Sequence, residues 1–332
     1  MTRSRQTSPR TRSRTKKRRS TDDAELSPQR IGGVFLLVTA ISLLLTVFVL
    51  FMQRQWKLPG QRALLVVHNG VDEVRKPLSI VVMRFSEQEL FFLPIPEEQS
   101  VNVLSNDISY SSDALVGYTQ LEEYRWEYLE YLVSLEYGVV LDGIVWTDLS
   151  PEELQANTWH SVAGQSLWRR APTTLAYWDR VRWWRGMFGI PSYQVDQLTV
   201  GEFLSENRAL DTTRYQRQYF SLLQDPAVRN SGWSVSILNG SGIQGYASRV
   251  ASALEMMGYE VRSVDTIEPV EESAVVFAPQ RNEVFTEERW AKKRLETVFS
   301  AFSTREDEET TRRRRSSAVI ILGTDQTSIW QK

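Results

Sequence analysis

The chain has 332 residues, 42% hydrophobic and 24% charged, enough for about two domains and for at least one buried core. It contains no cysteine, which excludes disulfides, thiolate nucleophiles and cysteine metal sites and leaves the redox compartment open. The net charge of −2 conceals an asymmetry, because Met1 to Arg30 holds ten Lys/Arg and three Asp/Glu, leaving 29 basic against 38 acidic residues elsewhere.

The tail at 1–30 is rich in Ser, Thr and Arg and almost free of apolar residues, the composition of a disordered segment. It reads as a topology signal; the alternative is a contact with nucleic acid or anionic lipid, and no specific nucleic-acid partner is expected. The next segment, 31–53, has no charge between Arg30 and Arg54. Its run GVFLLVTAISLLLTVFVLFM (Gly33 to Met52) matches the roughly 20 apolar residues that span a bilayer core. The following FMQRQWKLPGQR offers no small-x-small cleavage site, so the segment reads as a retained anchor. RTRSRTKKRR (Arg10 to Arg19) precedes it and only Arg54, Lys57 and Arg62 follow closely. That bias places the N-terminus in the cytoplasm and the bulk of the chain outside the cell membrane.

Within 60–150, ALLVVHNG, LSIVVMRF and ELFFLPIP read as three strands of an antiparallel meander. The first turn falls at Asn69-Gly70 or just beyond, and Pro94 and Pro96 cut off the third strand. Tyr118 to Tyr137 has the period of one helix, with Leu121, Tyr124, Tyr128, Leu132 and Leu135 on a shared face and Gly138 as C-cap. VVLDGIVWTDL is a further strand, and Ser150 with Pro151, Glu152 and Glu153 opens a helix. Residues 151–228 read as mainly helical and rich in tryptophan. In AYWDRVRWWRGMFGIP, Tyr177, Val181, Trp184 and Phe188 form one stripe, with Arg180, Arg182 and Arg185 between the aromatics. Such a helix docks on a sheet or, through arginine and tryptophan, meets lipid headgroups or phosphate.

Residues 232–327 read as a small module. WSVSIL, YEVRSVD, SAVVFAP and SSAVIILGTD are strands, and GYASRVASALEMMG, ended by Gly258, and RWAKKRLETVFSAF are helices, in the order β-α-β-β-α-β. STREDEETTRRRRSS reads as a mobile loop whose acidic block neutralises Arg312 to Arg315. The fold class is therefore α/β in the α+β sense: one N-terminal transmembrane helix, an outer mixed α/β region with a helical segment, and the small C-terminal domain.

Gly240, Gly242 and Gly245 stand at the spacing G-x-G-x-x-G, with Asp265 further on, the pattern of a dinucleotide turn. Only one β-α-β unit follows it, too little sheet for a nicotinamide cofactor, and none is expected outside the membrane. The glycines instead let a strand turn sharply into a helix. The binding alternative is an anion held by the turn Asn239, Gly240, Ser241 and Gly242. His68 and His160 lie far apart in the sequence, so no zinc site is expected, and neither a nucleophile elbow nor a P-loop occurs. Glu97 with Glu98, and Asp72 with Glu73, read as solvated loop charges.

V-S-I-L-N-G-S-G-I-Q-G-Y-A-S-R-V, then a helix, G-Y-E-V and a closing V-I-I-L-G, resembles the LytR C-terminal domain of bacterial cell-envelope proteins over about Trp233 to Asp325. Ala63 to Asp225 resembles in outline the LytR-CpsA-Psr catalytic domain. SIVVMRF…LFFLPIP sits where that family has strands ending in an Ile-Pro-Arg-Asp type motif, LEYGVVLDGIVW follows in order, and DTTRYQRQYF is similar to an arginine-containing stretch. That family transfers glycopolymers from a polyprenyl pyrophosphate carrier to peptidoglycan, with arginines and acids holding pyrophosphate and a divalent cation. Here Glu97 and Glu98 follow Pro96, and a carboxylate repels the pyrophosphate that an arginine would hold. The resemblance thus implies a non-catalytic binding or scaffolding protein at the cell wall, without cofactor, its partner peptidoglycan or an anionic wall glycopolymer. The alternative is a divergent, Mg-dependent phosphotransferase in which Arg182, Arg185, Arg214 and Arg217 converge on one apolar groove.

Overall fold

The computed structural model describes residues 60–69, 75–84, 87–103, 109–155, 173–188, 195–279, 287–326 and 328–330, with helical positions between 37 and 46. The chain divides into two units, Met1–Lys57 and Leu58–Lys332. In the first, the described positions are helical with exposed side chains, and the Thr46 hydroxyl donates to the Ser42 carbonyl at 2.8 Å. Among the described residues no helix is long and apolar enough to cross a membrane. The basic tail and most of the expected span Gly33 to Met52 lie outside them.

The second unit opens at Gly60 and enters strand β1 (Gln61–His68), which pairs antiparallel with β2 (Leu78–Arg84), itself antiparallel to β3 (Glu89–Ile95). The expected meander is present, but β3 runs through Pro94 instead of stopping before it. Its outer neighbour pairs only with Leu90 to Phe92, so at Pro94 the strand is an edge, where a missing N–H is tolerated. A small ribbon follows, β4 (Ser100–Asn102) with β5 (Ser109–Ser111).

The helix expected over Tyr118 to Tyr137 is two helices, α1 (Leu115–Leu121) and α2 (Trp126–Tyr137). Between them Glu123 adopts a left-handed φ of 54° and Arg125 is extended. The break leaves Leu121 79% exposed and brings Tyr124 to 5.7 Å from Tyr118 and 4.5 Å from Tyr128, ring to ring. Gly138 does end α2, with φ 63°. Strand β6 (Leu141–Thr147) then joins β1 in parallel, with a register shift where the Asp142 carboxylate takes the Ala63 amide at 3.0 Å.

Helix α3 (Pro151–Gln155) starts as expected, Ser150 and Glu153 each accepting the other's amide at 3.2 and 2.9 Å. Helix α4 (Tyr177–Phe188) docks through Trp183, which is fully buried, while Tyr177 of the expected stripe is 59% exposed. Strand β7 (Val195–Gln197) completes a mixed sheet of order β6-β1-β2-β3-β7, so 151–228 is not helical alone. Helices α5 (Thr212–Leu223) and α6 (Pro226–Ser231) follow.

The C-terminal module has β8 (Ser234–Asn239), α7 (Tyr246–Met257), β9 (Glu260–Thr266), β10 (Ala274–Phe277) and α8 (Glu287–Val298), all expected. The segment expected to be a loop is instead β11 (Ser303–Glu306) and α9 (Glu308–Arg314), before β12 (Ala318–Leu322). The order is therefore β-α-β-β-α-β-α-β. Asp307 caps the amides of Glu309 and Thr310, acids fill the first turn and Arg312 to Arg314 the last. A charge run that neutralises itself in a loop also complements a helix dipole. The sheet order is β11-β10-β12-β8-β9.

One face of the first sheet, with Ala63, Leu65, Ile80 and Leu93, shares a continuous core with α2, α5, α7, α8 and the inner face of the second sheet. Its other face, with Leu64, Val66, Met83 and Phe92, packs on Trp183, Leu154 and Leu175. A buried ionic cluster joins the parts. Arg294 of α8 donates to Asp142 and to the Val140 carbonyl, both at 2.7 Å. Trp290 donates to Asp225 at 2.9 Å between Arg62 and Arg294, which lie 5.9 and 5.3 Å from its ring. Burial pushes the Asp225 carboxyl above its ordinary range, against the pull of Arg294. At Gly60, a Cβ would come within 2.4 Å of the Asp225 carboxylate.

Candidate functional site

The parallel strands β1 and β6 end side by side at His68 and Thr147, and the Asn69 amide donates to the Thr147 carbonyl at 2.7 Å. Beyond these ends lies a cavity of about 520 Å³ lined by Asn69, Lys76, Gln120, Trp126, Trp146 and Thr174. Crevices outside the carboxyl ends of parallel strands are where open α/β sheets hold ligands. Trp126, at the start of α2, meets Trp146 edge-on, with ring centroids 5.0 Å apart and planes at 75°.

The wall is fixed by hydrogen bonds. Gly143 leaves room for the segment beside β6, since a Cβ there would lie 2.9 Å from Thr174 Oγ1. The Thr174 hydroxyl accepts from the Ile144 amide at 2.8 Å and donates to Glu130 at 2.9 Å. Burial pushes the Glu130 carboxyl up to about 7. At the end of β1, His68 Nδ1 donates to the Leu149 carbonyl at 2.7 Å, so Nε2 accepts from the Ser79 hydroxyl at 2.9 Å. Burial lowers the pKa of His68, leaving it a neutral structural residue. Among the described residues no group of His, Asp and Glu could hold a metal ion.

The arginines singled out from sequence do not share a site. Arg182 of α4 pairs with Asp179 at 3.1 Å on the Trp183 side of the first sheet. Arg214 and Arg217 stand exposed on α5, whose Tyr215 and Tyr219 pack into the core on the opposite face. Arg214 lies 6.0 Å from the Phe203 ring. The Arg185 side chain is outside the described positions. Glu97 and Glu98 are exposed beyond β3, with Glu98 paired to Arg208 at 2.8 Å.

Asn239, Gly240, Ser241 and Gly242 do lie together, in a turn closed on itself. Asn239 Oδ1 accepts from the Ser241 amide and hydroxyl at 3.3 and 2.7 Å, and the Ser241 hydroxyl accepts from the Ile243 amide at 3.1 Å. Gly240 is required by space, because a Cβ would meet Val270 at 2.8 Å, and Gly242 by its φ of 77°. Two of the amides that could face an anion are thus taken within the turn.

This turn opens the segment that matches a known family model, described as LytR cell envelope-related transcriptional attenuator, over residues 233–325. These residues form a LytR C-terminal domain. No curated protein matches the chain. Among solved structures, Bacillus subtilis TagV overlaps 47% of this chain and 93% of its own at 12% identity, with a TM-score of 0.35. A transcriptional regulator from Enterococcus faecalis overlaps 49% of this chain and 86% of its own at 9% identity, with a TM-score of 0.37. The LytR-CPS2A-psr family protein TagT, solved with bound octaprenyl pyrophosphate lipid, overlaps 73% of this chain and 91% of its own at 11% identity and a TM-score of 0.22.

The LytR C-terminal domain is joined to the first sheet by more than its linker. Tyr246 of α7 exchanges a hydrogen bond with Tyr131 of α2 at 2.5 Å, and Tyr131 packs against Phe299 and Phe302. Neither this junction nor the cavity stands out in the sequence.

Proposed function

We propose that the protein is a membrane-anchored, extracytoplasmic component of the bacterial cell envelope that binds wall polymer without transferring it. The anchor is Gly33 to Met52, with the N-terminus in the cytoplasm and the second unit outside. The LytR C-terminal domain supports the envelope assignment. The absence of transfer rests on one observation: the first sheet separates Arg182 from Arg214 and Arg217. Stabilising a transferring phosphoryl group needs cations aimed at one point, and the acids Glu97 and Glu98 beyond β3 oppose a pyrophosphate there.

Full-length chain in lipid nanodiscs, mixed with purified sacculi and with a polyprenyl-pyrophosphate-linked glycan, tests both parts. Co-sedimentation with sacculi and no covalent transfer of glycan is the expected result. Transfer that is abolished by Arg217→Ala, or no association with sacculi, would overturn the assignment.

A further inference from the structure

The cavity at the carboxyl ends of β1 and β6 has the chemistry of a particular ligand. We propose that it binds a sugar unit carrying an acidic substituent, carboxylate or phosphate, and so supplies the wall-polymer contact of the function proposed above, on which this step rests.

Trp126 is half-buried and Trp146 buried, and their edge-on arrangement keeps the two ring faces from covering each other. Aromatic rings offer rigid apolar area to amphipathic ligands, and the C–H faces of a pyranose are such a surface. A ligand of this kind also needs polar groups at its edge. Gln120 makes no side-chain hydrogen bond among the described residues, and its amide is both donor and acceptor, as sugar hydroxyls require. Asn69 is held in place through its donation to Asp148 at 2.7 Å. The volume of about 520 Å³ falls within the roughly 300–1,000 Å³ of small-molecule sites.

Lys76 selects the acidic substituent. Lys76 is a half-buried residue of the cavity lining, and its side chain has no ion pair among the described residues. A partly desolvated cation without a counter-charge favours a ligand that brings one. Thr174 contributes wall and not contact, because its hydroxyl is already engaged with Ile144 and Glu130.

Titration calorimetry of the full chain in nanodiscs, with N-acetylmuramic acid, glucose 1-phosphate and neutral N-acetylglucosamine, reads the preference directly and separates carboxylate from phosphate. One acidic sugar is expected to bind about tenfold more tightly than the neutral one, the worth of a charge-assisted hydrogen bond. Lys76→Gln should abolish that preference while leaving the neutral sugar unchanged, and Trp126→Ala should weaken all three. Equal binding of acidic and neutral sugars, a preference that survives Lys76→Gln, or no binding to any sugar would overturn the proposal. Sacculus co-sedimentation of the same preparation distinguishes the failures: if it persists, the wall-binding function stands and only the site is wrong.

Discussion

The two sheets differ in how their faces are covered. The first is buried on both, Ala63 and Leu65 facing one core while Leu64 and Val66 face another. The second has its deep core on the helical side, and its other face carries a small apolar cluster of Leu238, Val276 and Val319, with Arg314 of α9 paired to Asp265 of β9. A sheet covered on both sides draws its layers from distant parts of the chain, here α4 below and α2, α5, α7 and α8 above. A sheet with one principal face is closed by helices that lie between its own strands. Both deep faces meet in one shared core, but the outer face of the first sheet adds a second layer that the second sheet lacks.

Breaking the junction should therefore cost more than breaking a local feature. Arg294→Met takes the guanidinium from buried Asp225 and the nearer of two from half-buried Asp142, which keeps Arg62 at 3.7 Å. A loss of about 3–5 kcal/mol is expected, read as a lower urea midpoint. Gly138→Ala forces a side chain into a left-handed φ and sets its Cβ 2.3 Å from Met256 of the LytR C-terminal domain. It should cost about 2–3 kcal/mol, and Met256→Gly in the same chain, which removes the clashing Met256 Cβ, should recover part of that, a coupling that a double-mutant cycle measures.

Glu130 sharpens the comparison by pH. Its folded carboxyl is raised to about 7, so the stability tied to its protonated form is complete below the ordinary carboxylate range and is lost as pH rises through about 7. Glu130→Gln should thus melt higher than the parent above about pH 8, by about 2 kcal/mol, and equal it below about pH 4. The smallest effect is local to the second sheet. Asp307→Ala removes the cap of α9 and should speed amide exchange in Glu309 and Thr310 with only a small fall in the unfolding midpoint. Hydrogen bonds to Thr310 and Glu309 lower the Asp307 pKa. The parent should therefore approach the variant's exchange rates only as pH falls below the ordinary aspartate range.

What was legible in the sequence follows the same division. Strands β1 to β3 and the alternation of elements from β8 to α8 were readable because apolar runs and glycine stops are local signals. The break after α1 was hidden because Tyr124 and Tyr128 continue the helical period across it. Helix α9 was hidden by its charge, which suits a loop and a dipole alike. Strand β7 exists through its pairing with β3, and the residues facing the cavity come from four separate segments that only the fold assembles. The self-closed turn at Asn239 to Gly242 was recognisable as geometry, whereas the dispersal of Arg182, Arg214 and Arg217 over two faces needed the sheet between them.

The close packing of Gly60 on the Asp225 carboxylate has a mechanical consequence. It stands at the head of β1, an inner strand laddered to β2 on one side and β6 on the other, and the cavity lies at the foot of the same strand. A pull applied along the chain between Gly60 and Asn69 is carried by this strand. The load then runs lengthwise along β1, so that the hydrogen bonds of both ladders resist together in shear instead of parting one at a time.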